Sequence, residues 1–310
     1  KAGMPVICDQ NAVGLANNDN PIIAGWMHGD EPDNAQSLGK GKGYGPPIPP
    51  QKIVEEYRRM HAADPTRPVM LNLGQSVAWD NYIGRGVRRN HPEDYPEYVQ
   101  GGDIVSFDIY PVVHESPEIA GKLEYVAHGV ERLVGWTRGQ QRVWNCLECT
   151  HIGNPNAKAT PAQVRSEAWM SLIRGSQGLV YFVHQFAPSF KEAALLDDAE
   201  MLSAVTDINR QIRELAPVLN SPTLANRLTV QSANSAVAAV LKQSNGDFYV
   251  FAVNLKNEPA HAVFNLQNGP AAGTAEPLGE SRKVSVSNGG FSDDFAPYAV
   301  HLYALHPAKS

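Results

Sequence analysis

Two glutamates stand where short apolar runs give way to polar residues. Glu31 follows the run Ile22–Met27 in the segment GWMHGDEPD (Gly25–Asp33), and Glu148 lies in RVWNCLECT (Arg142–Thr150). A carboxylate in an otherwise apolar strand is costly to bury unless it is paired or has a chemical task. Two carboxyls facing each other can do acid–base work, one holding a proton while the other attacks or activates a nucleophile. Each raises the pKa of its neighbour, so the acid keeps its proton near neutral pH. Cleavage of a glycosidic bond calls for such a pair, about 5–5.5 Å apart for retention of configuration and about 6.5–9.5 Å apart for inversion. Plainer roles compete: Glu148 as half of a structural ion pair with an arginine, and Asp-Glu-Pro-Asp as an acidic helix start that complements the helix dipole.

Other polar residues gather at the ends of successive apolar runs: Asp30, Asn72, Asp108, Tyr110 and His184. Each is a candidate for binding substrate, Tyr110 also for orienting Glu148, and each has an ordinary structural alternative as a satisfied core group. A long loop on the same side carries Trp79, Tyr82, Arg85, Arg88 and Arg89. Its aromatic residues, Trp79 first, would suit stacking on sugar rings, and its arginines an acidic sugar. His28 with Asp30 and Asp33 is the one local cluster suggestive of a metal, but no His-x-His pair follows a strand, so no metal or other cofactor is expected. Cys146-x-x-Cys149 lacks a second ligand pair, and alternation along a strand points the two thiols to opposite faces, so free thiols are expected.

The elements that must position these residues follow from periodicity. Apolar runs at Met4–Cys8, Ile22–Met27, Pro68–Leu73, Ile104–Val112, Arg142–Thr150 and Gly178–Phe186 alternate with helical patterns at Gln51–Ala63, Glu118–Thr137, Pro161–Arg174 and Ala199–Leu215. Thr160 is the N-cap candidate of the third helix. This β–α alternation calls for a parallel sheet covered on both faces. No strand is followed by GxGxxG or GxxxxGK[ST], which weakens nucleotide-binding folds. Polar residues at many strand ends are instead the pattern of a (β/α)8-type barrel. Six units are visible, so the barrel reads as N-terminally incomplete, its first two units preceding Lys1. After Pro217 helical periodicity stops and short alternating runs appear between Asn-Gly turns, which reads as a C-terminal antiparallel β-sandwich. The expected domains are a catalytic barrel over 1–217 and a sandwich over 218–310.

Composition excludes some classes. A net charge of -6 argues against nucleic acid as a partner. No apolar run approaches the roughly 20 residues of a membrane span. The opening KAGMPVICDQ reads as a strand rather than a signal peptide, as a mature periplasmic or secreted protein would. An open barrel edge would expose strand surface that a second copy could cover, so a homo-oligomer is a further expectation.

GWMHGDEPD resembles the acid/base strand of the clan A retaining glycoside hydrolases, and RVWNCLECT resembles their nucleophile strand. Two missing strands would make the visible second and fifth strands the fourth and seventh, where that clan carries its two glutamates. The resemblance covers about residues 1–215 and is shared with a bacterial subgroup of glycosidase-like proteins. It implies Glu31 as acid/base, Glu148 as nucleophile and a carbohydrate substrate cleaved with retention. Asp30 stands where the clan usually has Asn, and the clan's strand-two Arg and strand-eight Trp have no counterpart. Alternatives are a catalytically silent carbohydrate-binding protein on the same barrel, a metal-dependent barrel hydrolase, and a partner-binding module working through its sandwich.

Overall fold

The computed structural model describes residues 3–307. These fall into two compact units, one of residues 3–110, 128–147 and 174–181, the other of residues 111–127, 148–173 and 182–307.

The first unit is built on six strands: β1 (Val6–Asp9), β2 (Ile23–Met27), β3 (Val69–Leu73), β4 (Ile104–Phe107), β5 (Arg142–Glu148) and β6 (Gly178–Phe182). They lie side by side in chain order, each beside the next. Pairing is parallel from β1 to β5. A doubly wound sheet reverses its strand order at a switch point, whereas this order advances monotonically, as in a (β/α) barrel. In chain order the strands alternate with α1 (Ala12–Leu15), α2 (Pro50–Ala63), the single turn α3 (Tyr95–Tyr98), α4 (Glu124–Thr137) and α5 (Pro161–Arg174), and α6 (Ala199–Leu219) follows β6; α5, up to Ile173, and α6 belong to the second unit.

Local chemistry explains these elements. Proline opens α2, where its missing N–H costs nothing. Ile53, Val54 and Met60 form the buried stripe of α2, and Met60 packs with Trp26 of β2 and Val69 of β3. The Trp26 indole donates to Asp64, just past the end of α2, at 3.0 Å. Thr160 and Gln163 form a reciprocal capping box at the start of α5: the Thr160 backbone N–H and hydroxyl donate to Gln163 Oε1, and the Gln163 N–H donates to the Thr160 hydroxyl. Asp198 caps α6 by accepting from the Met201 N–H at 3.0 Å.

Four elements depart from the periodicity. Helix α4 begins at Glu124 rather than Glu118, and β6 ends at Phe182 rather than Phe186. The fourth strand stops at Phe107 rather than Val112, because the N–H groups of Val112 and Val113 turn to Glu148 instead of a neighbouring strand. Helix α6 continues through Pro217 to Leu219. Proline there removes one hydrogen bond in the last turn, while Val218 gains burial in the apolar core.

In the second unit, β7 to β14 form one eight-stranded sheet in the order β7-β10-β13-β12-β11-β14-β9-β8. The strands are β7 (Leu228–Ser232), β8 (Val237–Ser244), β9 (Asp247–Asn254), β10 (Ala260–Leu266), β11 (Ala272–Pro277), β12 (Val284–Ser287), β13 (Gly290–Phe295) and β14 (Val300–Pro307). The strand pairings among its described residues are antiparallel, as expected of the C-terminal β region. Asn245-Gly246 and Asn288-Gly289 have positive φ at both residues and make the two-residue hairpins β8–β9 and β12–β13. β9 has no polar alternation from Phe248 to Val253 because both faces are covered. Val250 and Ala252 join one core with Phe264 and Tyr303, and Phe251 and Val253 join another with Trp169, Met170 and Val218.

Candidate active site

In the first unit the end of β2 turns sharply. Glu31 has φ +44°, a left-handed conformation that residues with a Cβ seldom adopt. Such strain persists only where its surroundings enforce it. Here Glu31 O accepts the Asn34 N–H at 3.0 Å and the Gln36 amide at 3.3 Å. Asp33, fully buried, accepts the Gly74 N–H at 2.9 Å and the Tyr95 hydroxyl at 2.7 Å. The Arg85 guanidinium donates to the Asp33 carbonyl at 2.9 Å and to Asp94 at 2.6 Å. Gly74 allows the close approach, since a Cβ there would lie 2.7 Å from the Asn34 side chain.

The turn holds Glu31 at a cavity of about 710 Å³. Asp30, Asn34, Gln36 and Ser37 supply polar wall, while Tyr44, Tyr82 and Ile83 supply apolar surface. Tyr82 rests against Gly84, where a Cβ would come within 2.3 Å of the ring. Trp79 is buried and packs on Tyr82 with centroids 5.8 Å apart, so Tyr82 is the aromatic face turned to the cavity.

Behind this wall the sequence candidates meet. Glu31 and Asp108 share a hydrogen bond, and Asp108 also bonds Tyr110. Burial pushes the Glu31 carboxyl above its usual range, with Asp33 and Asp30 adding to the rise, while bonds from Asp108 and Asn34 pull it back. Burial and then the Glu31 charge push Asp108 higher still. Two such carboxyls without a cation oppose each other's ionisation, which favours their sharing a proton. Asn72 donates to Asp30 at 2.9 Å and accepts from Ser106 at 2.7 Å, which fixes the orientation of the Asp30 carboxylate.

The second unit holds Glu148 at the end of β5. Its carboxylate accepts the N–H groups of Val112 at 2.6 Å and Val113 at 2.9 Å, and the residue is 0% exposed. Glu167 of α5 is buried beside it, with no other group bonding its carboxyl among the described residues. Burial raises Glu148 to about 7 against the opposing pull of the two amides, and holds Glu167 well above the usual range. His184 lies between Phe182 and Phe190, its carbonyl accepting from the Thr150 hydroxyl at 2.6 Å. A separate polar cavity of about 350 Å³ is lined by Thr150, His151, Lys158, Gln185, Lys191 and Asp198 among others.

The suggestive metal cluster is dispersed. His28 bonds Glu56 and the Gly101 carbonyl, Asp30 bonds Asn72, and Asp33 bonds Gly74 and Tyr95. The cysteines Cys8, Cys146 and Cys149 are free thiols. The loop arginines are committed: Arg85 and Arg88 to Asp94, and Arg89 to Asn81. Sequence reasoning did not single out Asn34, Gln36 and Tyr44. A tyrosine isolated among the glycines of GKGKGYGPP was the one available signal.

No protein-family model and no curated protein sequence matches the chain. Solved structures do. The α-amylase of Geobacillus thermoleovorans, complexed with acarbose, aligns with a TM-score of 0.55 at 12% identity over 96% of this chain and 63% of its own. A noncanonic maltogenic α-amylase from Thermotoga neapolitana gives 0.53 at 9% identity over 94% and 62%. An Anoxybacillus α-amylase gives 0.50 at 8% identity over 85% and 57%. The fold is that of the barrel glycoside hydrolases with a C-terminal β domain. The chain spans 57–63% of the length of these three glycosidase-fold structures. No helix among its described residues is long and apolar enough to cross a membrane.

Proposed function

We propose that this glycosidase-fold chain is a glycoside hydrolase acting on a poly- or oligosaccharide, with Glu31 as the proton donor. The observation that carries this reading is the Glu31 carboxyl itself. It is held by a strained turn at the wall of a sugar-sized cavity, with its pKa raised by burial and by neighbouring carboxylates. That is what a general acid working near neutral pH requires. The second carboxylate is Glu148, assigned from the resemblance of RVWNCLECT to the clan's nucleophile strand. In this role the carboxylate, 0% exposed, must become accessible to the sugar; each of its oxygens accepts one amide, from Val112 and Val113, and keeps a lone pair for attack. The outcome is a covalent glycosyl intermediate and retained configuration. Oligomerisation through an open sheet edge belongs to the same proposal, as does export from the cytoplasm.

A specific observation favours a second reading, a carbohydrate-binding protein without hydrolysis. Glu148 is fully buried and satisfied by two backbone donors, as a structural carboxylate would be. Paired variants separate the two. Glu31→Gln and Glu148→Gln are assayed on a panel of aryl glycosides, alongside sugar binding and thermal melting. If both abolish turnover while binding and melting persist, the hydrolase reading holds. If wild type turns over nothing, and Glu148→Gln lowers only the melting temperature, the binding reading replaces it.

A further inference from the structure

Among the described residues, the wall of the Glu31 cavity carries Asp30 and Glu31 and no lysine, arginine or histidine. Asp108 stands hydrogen-bonded to Glu31. Among the described residues none of these three carboxyls takes part in an ion pair; the loop's cations are spent elsewhere, Arg85 on Asp33 and Asp94, and Arg88 on Asp94 and Glu93. Lys40 and Lys42, in the glycine-rich segment before Tyr44, are not part of the wall. Asp30 is exposed, and its Oδ1 is fixed by Asn72. Tyr44, 76% exposed, and Tyr82 supply the aromatic faces of the same cavity.

We infer that the sugar residue bound in this cavity is uncharged or carries an amino group, and that uronic-acid and sulfated residues are excluded. This rests on the carbohydrate reading of the cavity and narrows it. An anionic sugar would bring a negative charge against fixed carboxylates with no cation to neutralise it, and would lose its hydration in doing so. An ammonium group gains from the same carboxylates and from the electron-rich faces of the tyrosines. A unit charge about 5 Å from one partly solvated carboxylate changes affinity by about tenfold. Neutral pyranosides lose nothing, because Asn34, Gln36 and Ser37 offer hydroxyl partners on the wall.

The test uses the full chain and ligand-detected NMR with the methyl pyranosides of glucose, glucosamine and glucuronic acid, and of galactose, galactosamine and galacturonic acid, in both anomeric forms. The expected result is an amine that binds about tenfold more tightly than its neutral parent at low ionic strength, with the uronate unbound. Asp30→Asn should shrink the gap between amine and neutral sugar, as should added salt. A uronate that binds as well as its neutral parent overturns the inference while leaving the carbohydrate reading in place. Failure of every pyranoside to bind removes the carbohydrate reading of the cavity, and this inference with it.

Discussion

The Asn34 side-chain amide donates to Glu31 Oε2 at 2.8 Å, three residues along a turn that opens with Glu31 in a left-handed conformation. This bond favours the ionised carboxylate, and so opposes the rise in pKa that burial imposes. Asn34→Ala should therefore move the Glu31 pKa further up. The basic limb of the activity profile, where the acid loses its proton, should shift to higher pH by up to about one unit. Titration of the Glu31 carboxyl by carbon NMR checks this without relying on turnover. A downward shift would show that Asn34 stabilises the protonated form instead.

The same turn sets stability against function. A Cβ at φ +44° costs about 1 kcal/mol relative to glycine. Glu31→Gly should be more stable than Glu31→Ala by that amount, and melt higher, although both lack the carboxyl. Equal melting temperatures would mean that the turn relaxes once the carboxyl is removed, and that its hydrogen bonds impose the conformation. Denaturant titration of the two variants measures the difference.

Much of this architecture was legible as local pattern. The strand runs, the α2 and α5 boundaries and the Asn-Gly hairpins follow from periodicity, capping and turn chemistry within a few residues. Glu31 stood out because a carboxyl at the end of an apolar strand has few ordinary explanations. The residues that went unread depend on distant partners. Arg85 looks like a solvated loop arginine until Asp33, 52 residues earlier, takes its position beneath it. Glu148 gives no sign in its own segment that the amides of Val112 and Val113 will hold it. Strand β13 shows no apolar alternation through Ser292-Asp293-Asp294; Asp293 is accommodated there by Arg282 and the Tyr303 hydroxyl. Tyr44 could be placed on the cavity only once the segment around it closed through the Ser37–Tyr44 bridge.

Arg85 and Arg88 both bind Asp94 but differ in burial, with side chains 1% and 40% exposed. Removing one member of a buried pair leaves an uncompensated charge and costs about 3–5 kcal/mol, whereas an exposed pair contributes about 0–1 kcal/mol. Arg85→Ala should accordingly destabilise the fold severely, leaving Asp33 without its cation beneath the Glu31 turn. Arg88→Ala should cost less than about 1 kcal/mol. Chemical denaturation of both variants tests the contrast, and comparable losses would contradict it.

The buried pair of Glu148 and Glu167 makes stability depend on pH in an unusual direction. Both carboxyls have folded pKa values raised by burial, Glu148 to about 7 and Glu167 well above the carboxylate range. Between the unfolded value, near 4.5, and about 7, the folded chain binds more protons than the unfolded one. Stability from Glu148 is therefore fully present below the unfolded pKa and is lost as pH rises through about 7. Carboxylates with lowered values, such as Asp94 and Asp293, act in the opposite sense at acidic pH, so the difference between two proteins is the informative quantity. Glu167→Gln keeps the size and a hydrogen-bonding side chain but removes one titrating proton. The wild-type melting temperature should fall relative to that of Glu167→Gln as pH rises from about 5 to 8, by an amount on the order of a few kcal/mol in stability. A difference that stays flat across this interval would mean that the two carboxyls do not share a proton in the folded chain. Glu148 would then be an ordinary ionised acceptor of the Val112 and Val113 amides.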